Sequence, residues 1–403
     1  MAKKVPVTSE KTEQLSASQQ FFLSVLSDHL NKRPTAAPGE LDWDTVLRYA
    51  RSHQVEGLFY QQCKAFLPER YMVKLTRCYA ATAFFYSNRV AALKNIQACF
   101  DKEKIPFYTV KGLDIAQLYP CPVFRTMGDL DILVHSEDRE RARSVLLAAG
   151  FEDESTNAFE INLVKNQLKY EIHDRLLYDN SVNTQASKDY CDQAWSHAQQ
   201  LHDSMRYTLD WDFHFVYLLF HLKKHFLVSG VGFRQFMDIA LVVQQCPINW
   251  DALTPVLDRL EILDFAKVCL SYCQRWFDME MPLQMPLDEK FYTLSTLKIF
   301  GNGVFGFDDA SNQDNKNLNV VRKNGKFRTA LNRVFPSYQD VCDVPYYSFV
   351  TGRPYLLPAV WIYRFYRAIR YRMFGRGKQL MEQSFVDQAK MNQRDAMLRF
   401  WGL

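Results

Sequence analysis

The stretch from Val110 to Val134 reads VKGLDIAQLYPCPVFRTMGDLDILV, and the fold turns on its last seven residues, GDLDILV at Gly128 to Val134. Leu130 to Val134 is a short apolar run that follows a loop containing Pro120 and Pro122, the pattern of a strand. Alternate side chains of a strand share a face, so Asp129 and Asp131 project together while Leu130, Ile132 and Val134 point to the opposite side. Two carboxylates so placed in a partly buried sheet repel, and one takes up a proton unless something positive sits beside them. Magnesium meets that need, because it prefers carboxylate oxygens and keeps positions open for phosphate oxygens and water. The same DxD can also merely start an exposed strand or cap a turn, so its surroundings have to decide.

Upstream, Ile105 to Val110 is a first short strand closed by Lys111-Gly112, and Leu113 to Tyr119 is helix-like. A strand that runs through Lys-Gly into a helix can present N-terminal N–H groups to a phosphate, with Lys111 as a point charge beside them. Downstream, Glu137 to Ala149 has helical periodicity and ends at Gly150, a good residue to follow a helix. Phe159 to Val164 and Leu168 to His173 then read as paired strands joined at Lys165-Asn166-Gln167. In YEIHDRL, Tyr170 to Leu176, Glu171 and His173 share one face. If this strand lies beside the DLD strand, Glu171 completes a carboxylate trio; otherwise Glu171 and His173 are a surface pair on an edge strand.

Helical signals flank this unit on both sides. Before it come Phe21 to Leu30, Trp43 to Cys63 with Asp42 as its cap, and Tyr79 to Phe100. After it come Phe213 to Phe226, Arg234 to Gln244 beyond a glycine break, Trp250 to Leu260 and Ile262 to Phe277. Asp308 to Asn319 is polar and loop-like, and the pattern tightens again from Val344 to Arg376. The reading is an α+β protein in five parts: a mobile N-terminus (1–15), an N-terminal helical region (16–100), a mixed core (101–200), a helical domain closing a cleft over it (201–300), and a C-terminal loop and helical region (301–403).

The 403 residues exceed one ordinary core. A net charge of +4 neither demands nor excludes an anionic partner. The nine cysteines are scattered without a CxxC, which argues against a zinc site or disulfide framework and suits a reducing compartment. Cys269 and Cys273 share a helical face but read as core thiols. The N-terminus has no apolar signal region and no stretch is long enough to span a bilayer, so a cytoplasmic location is expected.

Taken together, KGLDIAQLYPCPVFRTMGDLDILV, YEIHDRL and HLKKHFLVSGVGFRQFMDIALVV resemble the bacterial uncharacterised nucleotidyltransferase family of the DNA polymerase β superfamily. DWDTVLRYARSHQVEGLFY and PYLLPAVWIYRFYR are similar to its flanking segments. The resemblance implies a polymerase β-type nucleotidyltransferase core, a small mixed sheet with flanking helices, set between N- and C-terminal helical regions. It implies transfer of an NMP group, AMP from ATP in this reading, to an unidentified acceptor, either small molecule, sugar or protein, with pyrophosphate leaving. Asp129, Asp131 and Glu171 would then hold Mg²⁺ or Mn²⁺ and serve as the catalytic residues. Lys111, Gly112, Arg125, Gly128, His173 and Lys224 would handle the nucleotide. Arg125 could fork onto the triphosphate or tie its loop to a carboxylate; His173 could orient a carboxylate, contact phosphate or be structural. The wider superfamily has Gly-Ser or Gly-Gly where this chain has Lys111-Gly112 followed by leucine, so the usual serine contact is missing. A nucleotide-binding regulatory or scaffold protein without turnover is the rival reading.

Two further motifs remain open. His221 and His225 in HLKKH have metal-ligand spacing but no evident third ligand, and fit better as a wall of the nucleotide site. Arg234 and Asp238, four apart, are expected to pair with each other. WIYRFYRAIRYRMFGRGK, Trp361 to Lys378, interleaves arginines with aromatics; it reads as a helix docked on the protein with a basic outer face, with contact to RNA or an anionic membrane surface as the alternatives.

Overall fold

Periodicity in the first hundred residues resolves into four helices: α1 (Ala17–Leu30), α2 (Trp43–Ser52), α3 (Glu56–Cys63) and α4 (Glu69–Glu103). The computed structural model describes residues 14–155, 161–177, 184–228, 230–303, 335, 337–341, 350, 352–372 and 395–403. Asp42 caps α2 as expected, accepting from the Thr45 N–H at 3.2 Å. The single helix expected from Trp43 to Cys63 is instead broken between α2 and α3, where Gln54 takes φ 56°. Tertiary contacts set the break. His53 is wholly buried against Phe22, Phe233 and Phe300, and the Gln54 carbonyl accepts a hydrogen bond from the Thr126 hydroxyl.

The chain then builds β1 (Phe107–Val110), α5 (Gly112–Ala116), β2 (Asp129–Val134), α6 (Arg139–Ala148), β3 (Glu152–Asp153), β4 (Ile161–Lys165) and β5 (Leu168–His173). Gly150 follows α6 at φ +83°, the left-handed conformation foreseen for it. Asn166 and Gln167 form the β4–β5 turn at φ 52° and 64°. α7 (Gln185–Cys191), β6 (Ala198–Gln200) and β7 (Arg206–Leu209) come next, so the sheet runs past residue 200.

The seven strands lie in the order β3-β4-β5-β2-β1-β7-β6. β2 is antiparallel to β1 and parallel to β5, which makes it the middle of a mixed sheet. Leu130, Ile132, Val134, Tyr170 and Ile172 pack against Leu93, Ile96 and Phe100 of α4 and Ala142 and Leu146 of α6. Each buried Leu, Ile, Val and Phe among them contributes about 1.5–3 kcal/mol by leaving water. The opposite face carries Tyr108, Val110 and Leu133 against Phe213 and Tyr217 of α8 (Trp211–Val228). By alternation Asp129, Asp131, Glu171 and His173 belong to this second face.

α9 (Phe233–Gln245), α10 (Trp250–Arg259), α11 (Leu263–Phe277) and α12 (Glu289–Asn302) follow. Phe22 of α1 stacks on Phe59 of α3 and meets Phe233 of α9 and Phe300 of α12 at 5.1, 5.4 and 5.3 Å between ring centres. Residues read as two separate helical regions therefore share one core. Contacts divide the chain into two units, one of Met1–Phe226, Gly230–Phe307 and Arg399–Leu403, the other of Leu227–Ser229 and Asp308–Leu398. The second unit contains α13 (Tyr338–Val341) and α14 (Leu357–Arg372), with Val341, Val350 and Val360 buried together. The loop expected at 308–319, residues 1–13 of the expected N-terminal segment and residues 373–378 of the basic aromatic stretch lie outside the described residues. The eight cysteines among the described residues are free, and no described helix is long and apolar enough to cross a membrane.

Candidate active site

Strand register assembles the acids. Asp131 lies directly beside Glu171 across the parallel β2–β5 pair, and Leu133 lies beside His173. Asp131, Glu171 and His173 each offer a ligand atom within 4.8 Å of the others. His173 Nε2 is 3.4 Å from Asp131 Oδ1 and 3.3 Å from Glu171 Oε2. Asp129 sits one pleat earlier, in register with Lys169 rather than Glu171. The tight group thus contains His173 where the sequence reading placed Asp129, and Asp129 stands at its edge.

Electrostatics show how closely these groups interact. Burial raises Asp129, and the negative charges of Asp131 and Glu171 add to it against the pull of Lys111, so its carboxyl is shifted upward. Burial also works to raise Asp131, but Lys111 and His173 outweigh it and hold that carboxyl below its ordinary range. Burial works to lower His173, yet Asp131 and Glu171 overcome it and raise the imidazole to about 9. Asp131 is therefore a buried anion kept by two cations, Lys111 Nζ at 2.9 Å and the His173 ring. The clustered carboxylate oxygens, with an imidazole that can ligate once it gives up its proton, are a donor set suited to a divalent cation.

Lys111 reaches Asp131 because Val110, the residue before it, is Asp131's partner across β1 and β2. Its backbone adopts φ 61° and ψ −124°, a conformation that favours glycine, and its N–H donates to His214 Nε2 at 3.3 Å. The helix that follows, α5, has only five residues, and Asp114 in its first turn is held by Thr109 and Arg206. A phosphate cradle of backbone N–H groups at Gly112 finds no support in that short turn. Above Lys111, α8 presents His214, Tyr217, His221 and His225 at spacings of three and four along one helical face. The charges of Lys111 and Asp131 reach Tyr217, His221 and His225, and the rings of His221 and His225 meet edge to face at 4.4 Å. His221 and His225 of HLKKH lie on this face, while Lys224 is exposed. Sequence reasoning missed His214 and Tyr217, although polar groups at helical period on an otherwise apolar helix were the available signal.

The loop into Asp129 is braced by arginines. Arg125 forks onto Asp238 through Nε and Nη2 at 2.9 and 2.8 Å, with Tyr119 donating to the same carboxylate at 2.8 Å. Of the two roles held open for Arg125, its guanidinium is committed to the carboxylate, so triphosphate contact is corrected to a loop tie. The expected Arg234–Asp238 pair is corrected as well. Asp238 belongs to Arg125, while Arg234 Nη1 donates to Gln54 Oε1 and to the Thr126 carbonyl and hydroxyl at 3.0, 2.8 and 2.8 Å. Helical spacing ranked a neighbour on the same helix above a partner 113 residues away. Exposed Gly128 lends its carbonyl to Arg89 Nη2 at 2.7 Å, an anchor the sequence did not suggest.

The uncharacterised nucleotidyltransferase family matches residues 39–278, which takes in the sheet, the acidic group and the α8 wall. The chain belongs to that family. Membership supports nucleotidyl transfer as the class of activity. The solution structure of the antibiotic-resistance factor ANT(2'')-Ia, described as revealing substrate-regulated conformation dynamics, is similar at 12% identity and a TM-score of 0.30, covering 39% of this chain and 84% of that one. No curated protein matches the chain.

Proposed function

We propose that this family member is a divalent-metal-dependent nucleotidyltransferase that moves AMP from ATP onto a hydroxyl or phosphate of a small-molecule, sugar or protein acceptor. The observation that carries the reading is Asp131 beside Glu171 on neighbouring parallel strands, with His173 between their carboxylates. Asp129, Asp131 and Glu171 would hold Mg²⁺ or Mn²⁺, with His173 as a further donor or as the group that orients the two acids. When bound, such ions lower the pKa of an acceptor hydroxyl and offset polyphosphate charge. Glu171, the more exposed of the acids in contact with His173, would assist in taking the acceptor's proton. The acceptor oxygen bonds to the α-phosphorus as the bond to the bridging oxygen breaks, and pyrophosphate leaves with that electron pair.

Nucleotide binding without turnover takes its support from one observation: Lys111 Nζ already neutralises Asp131. Incubation with labelled ATP, Mg²⁺ and a cell extract separates the two. The proposed enzyme moves label onto an acceptor and releases pyrophosphate, whereas an Asp129→Asn/Asp131→Asn double variant does neither. Label transfer unaffected by that double substitution removes the mechanism.

A further inference from the structure

We infer that Arg234 is the residue that receives the nucleotide's polyphosphate, through the Nε/Nη2 edge of its guanidinium. The inference rests on the nucleotidyl-transfer reading and moves the role foreseen for Arg125 to a different arginine. Three guanidiniums surround the loop that leads into Asp129, those of Arg89, Arg125 and Arg234. Among the described residues, one carboxylate, Asp238, forms an ion pair with any of them, and Arg125 and Tyr119 occupy it. Arg125 uses its Nε/Nη2 edge for that pair, the edge from which two parallel N–H bonds reach a carboxylate or phosphate. Arg234 keeps the same edge uncommitted. All of its hydrogen bonds run from Nη1, to the neutral acceptors Gln54 and Thr126. Among the described residues neither Nε nor Nη2 of Arg234 has a hydrogen-bond partner, and the residue is only partly buried.

Its position suits the role. The Nη1 bonds fix it to Thr126, three residues before Asp129, and the charge of Asp129 reaches it. Its own charge reaches His225, on the α8 face that also senses Lys111 and Asp131. Burial, with Arg125 adding to it, lowers Arg234 to about 10 against the opposing pull of Asp238 and Asp129. Its hydrogen bonds go to neutral acceptors, and the Asp238 carboxylate that acts on it is already forked by Arg125, so an anion of its own lowers the cost of its burial. A forked phosphate supplies one, and it replaces the serine contact that the Lys111-Gly112-Leu113 sequence lacks.

The test titrates the full-length protein, with Mg²⁺, against ATP, AMP and inorganic tripolyphosphate. Wild type is expected to bind ATP and tripolyphosphate, and AMP more weakly than ATP. Arg234→Gln is expected to weaken ATP and tripolyphosphate by about tenfold to a hundredfold while leaving AMP unchanged. Arg234→Lys, which keeps the charge and the fold but loses the fork, is expected to fall between the two, and it decides the matter if the glutamine variant does not fold. Equal weakening of all three ligands, or wild-type affinity for ATP in both variants, overturns the inference while leaving nucleotide binding in place. Wild type that binds none of the three overturns the reading beneath it.

Discussion

Asp131 and Asp238 are both buried carboxylates facing cations, and the difference between them separates chemistry from architecture. Asp238 accepts a forked pair from Arg125 and a bond from Tyr119. Asp131 is also held by cations, Lys111 and His173, but two further acids crowd it: Glu171 in register and Asp129 two residues away. One carboxylate is satisfied by its own fold. The other sits in a cluster where neighbouring acids oppose one another and Asp129 is shifted upward as a result. Buried ion pairs by themselves say little about function, because the cost of removing both partners from water offsets much of their attraction. A cluster in which several acids and cations perturb one another says more.

The largest expected effect tests that division on its chemical side. Asp131→Asn is expected to lower the transfer rate by about a thousandfold, since divalent-ion stabilisation of the transition state amounts to several kcal/mol. Pyrophosphate release in the presence of Mg²⁺ measures it. A rate within tenfold of wild type places the acids outside the reaction.

Asp238→Ala addresses the architectural side. It leaves Arg125 buried without its partner, and removing one member of a buried pair costs about 3–5 kcal/mol. Denaturant titration reads the loss. Activity per folded molecule is expected to fall far less than for Asp131→Asn, and equal losses of activity would erase the distinction between the two sites.

Histidines repeat the contrast. His173 lies between acids and is raised to about 9 despite burial, whereas His29, away from any acid partner, is lowered by burial to about 4. Neutral His29 is favoured in the folded chain and protonated His29 in the unfolded one. Its stabilising effect is therefore intact above the unfolded value of 6.5 and is lost as pH falls from there to about 4. His29→Phe is expected to lose about 3 kcal/mol less than wild type over that window, measured by denaturant midpoints at stepped pH. Parallel pH curves for the two proteins would show that burial of His29 is not what the fold resists.

What the sequence made legible was local. The alternation in GDLDILV set which side of β2 carries the acids, Asp42 marked a helix start, and Gly150 marked a helix end, because each signal depends on residues a few positions apart. Placing Glu171 beside Asp131 needed only the condition that β5 adjoin β2, and the register met it. The rest depended on distance in sequence. Gln54 itself is neither glycine nor proline, Gly57 falls inside α3 rather than at the break, and the cause lies in Thr126 and Phe300. The short edge strands β3 and β6, of two and three residues, are too brief for alternation to register. Arg125 found Asp238 rather than phosphate because tertiary packing brought α9 beside the loop, a fact no spacing rule contains.

Lys111 gives the smallest expected change in stability and the finest test of the comparison. At φ 61° and ψ −124° a residue with a side chain stores about 1–3 kcal/mol of backbone strain that glycine would relieve. Lys111→Gly also removes the ion pair to Asp131, a loss softened because His173 still faces the same carboxylate. The two effects oppose each other, and a net shift within about 1 kcal/mol is expected. Function should shift more than stability. Asp131 loses the internal cation that competes with a metal for its oxygens, so calorimetric Mn²⁺ affinity without nucleotide should rise by roughly tenfold, since a displaced buried cation no longer opposes the ion. ATP affinity should fall in the same variant if the ammonium turns toward phosphate when nucleotide is present. Tighter metal with weaker ATP identifies Lys111 as a cation that holds the acid in wait for its ligands. Metal affinity that drops instead would make Lys111 part of Asp131's permanent structure, as Arg125 is of Asp238's, and the two carboxylates would then differ in degree rather than in kind.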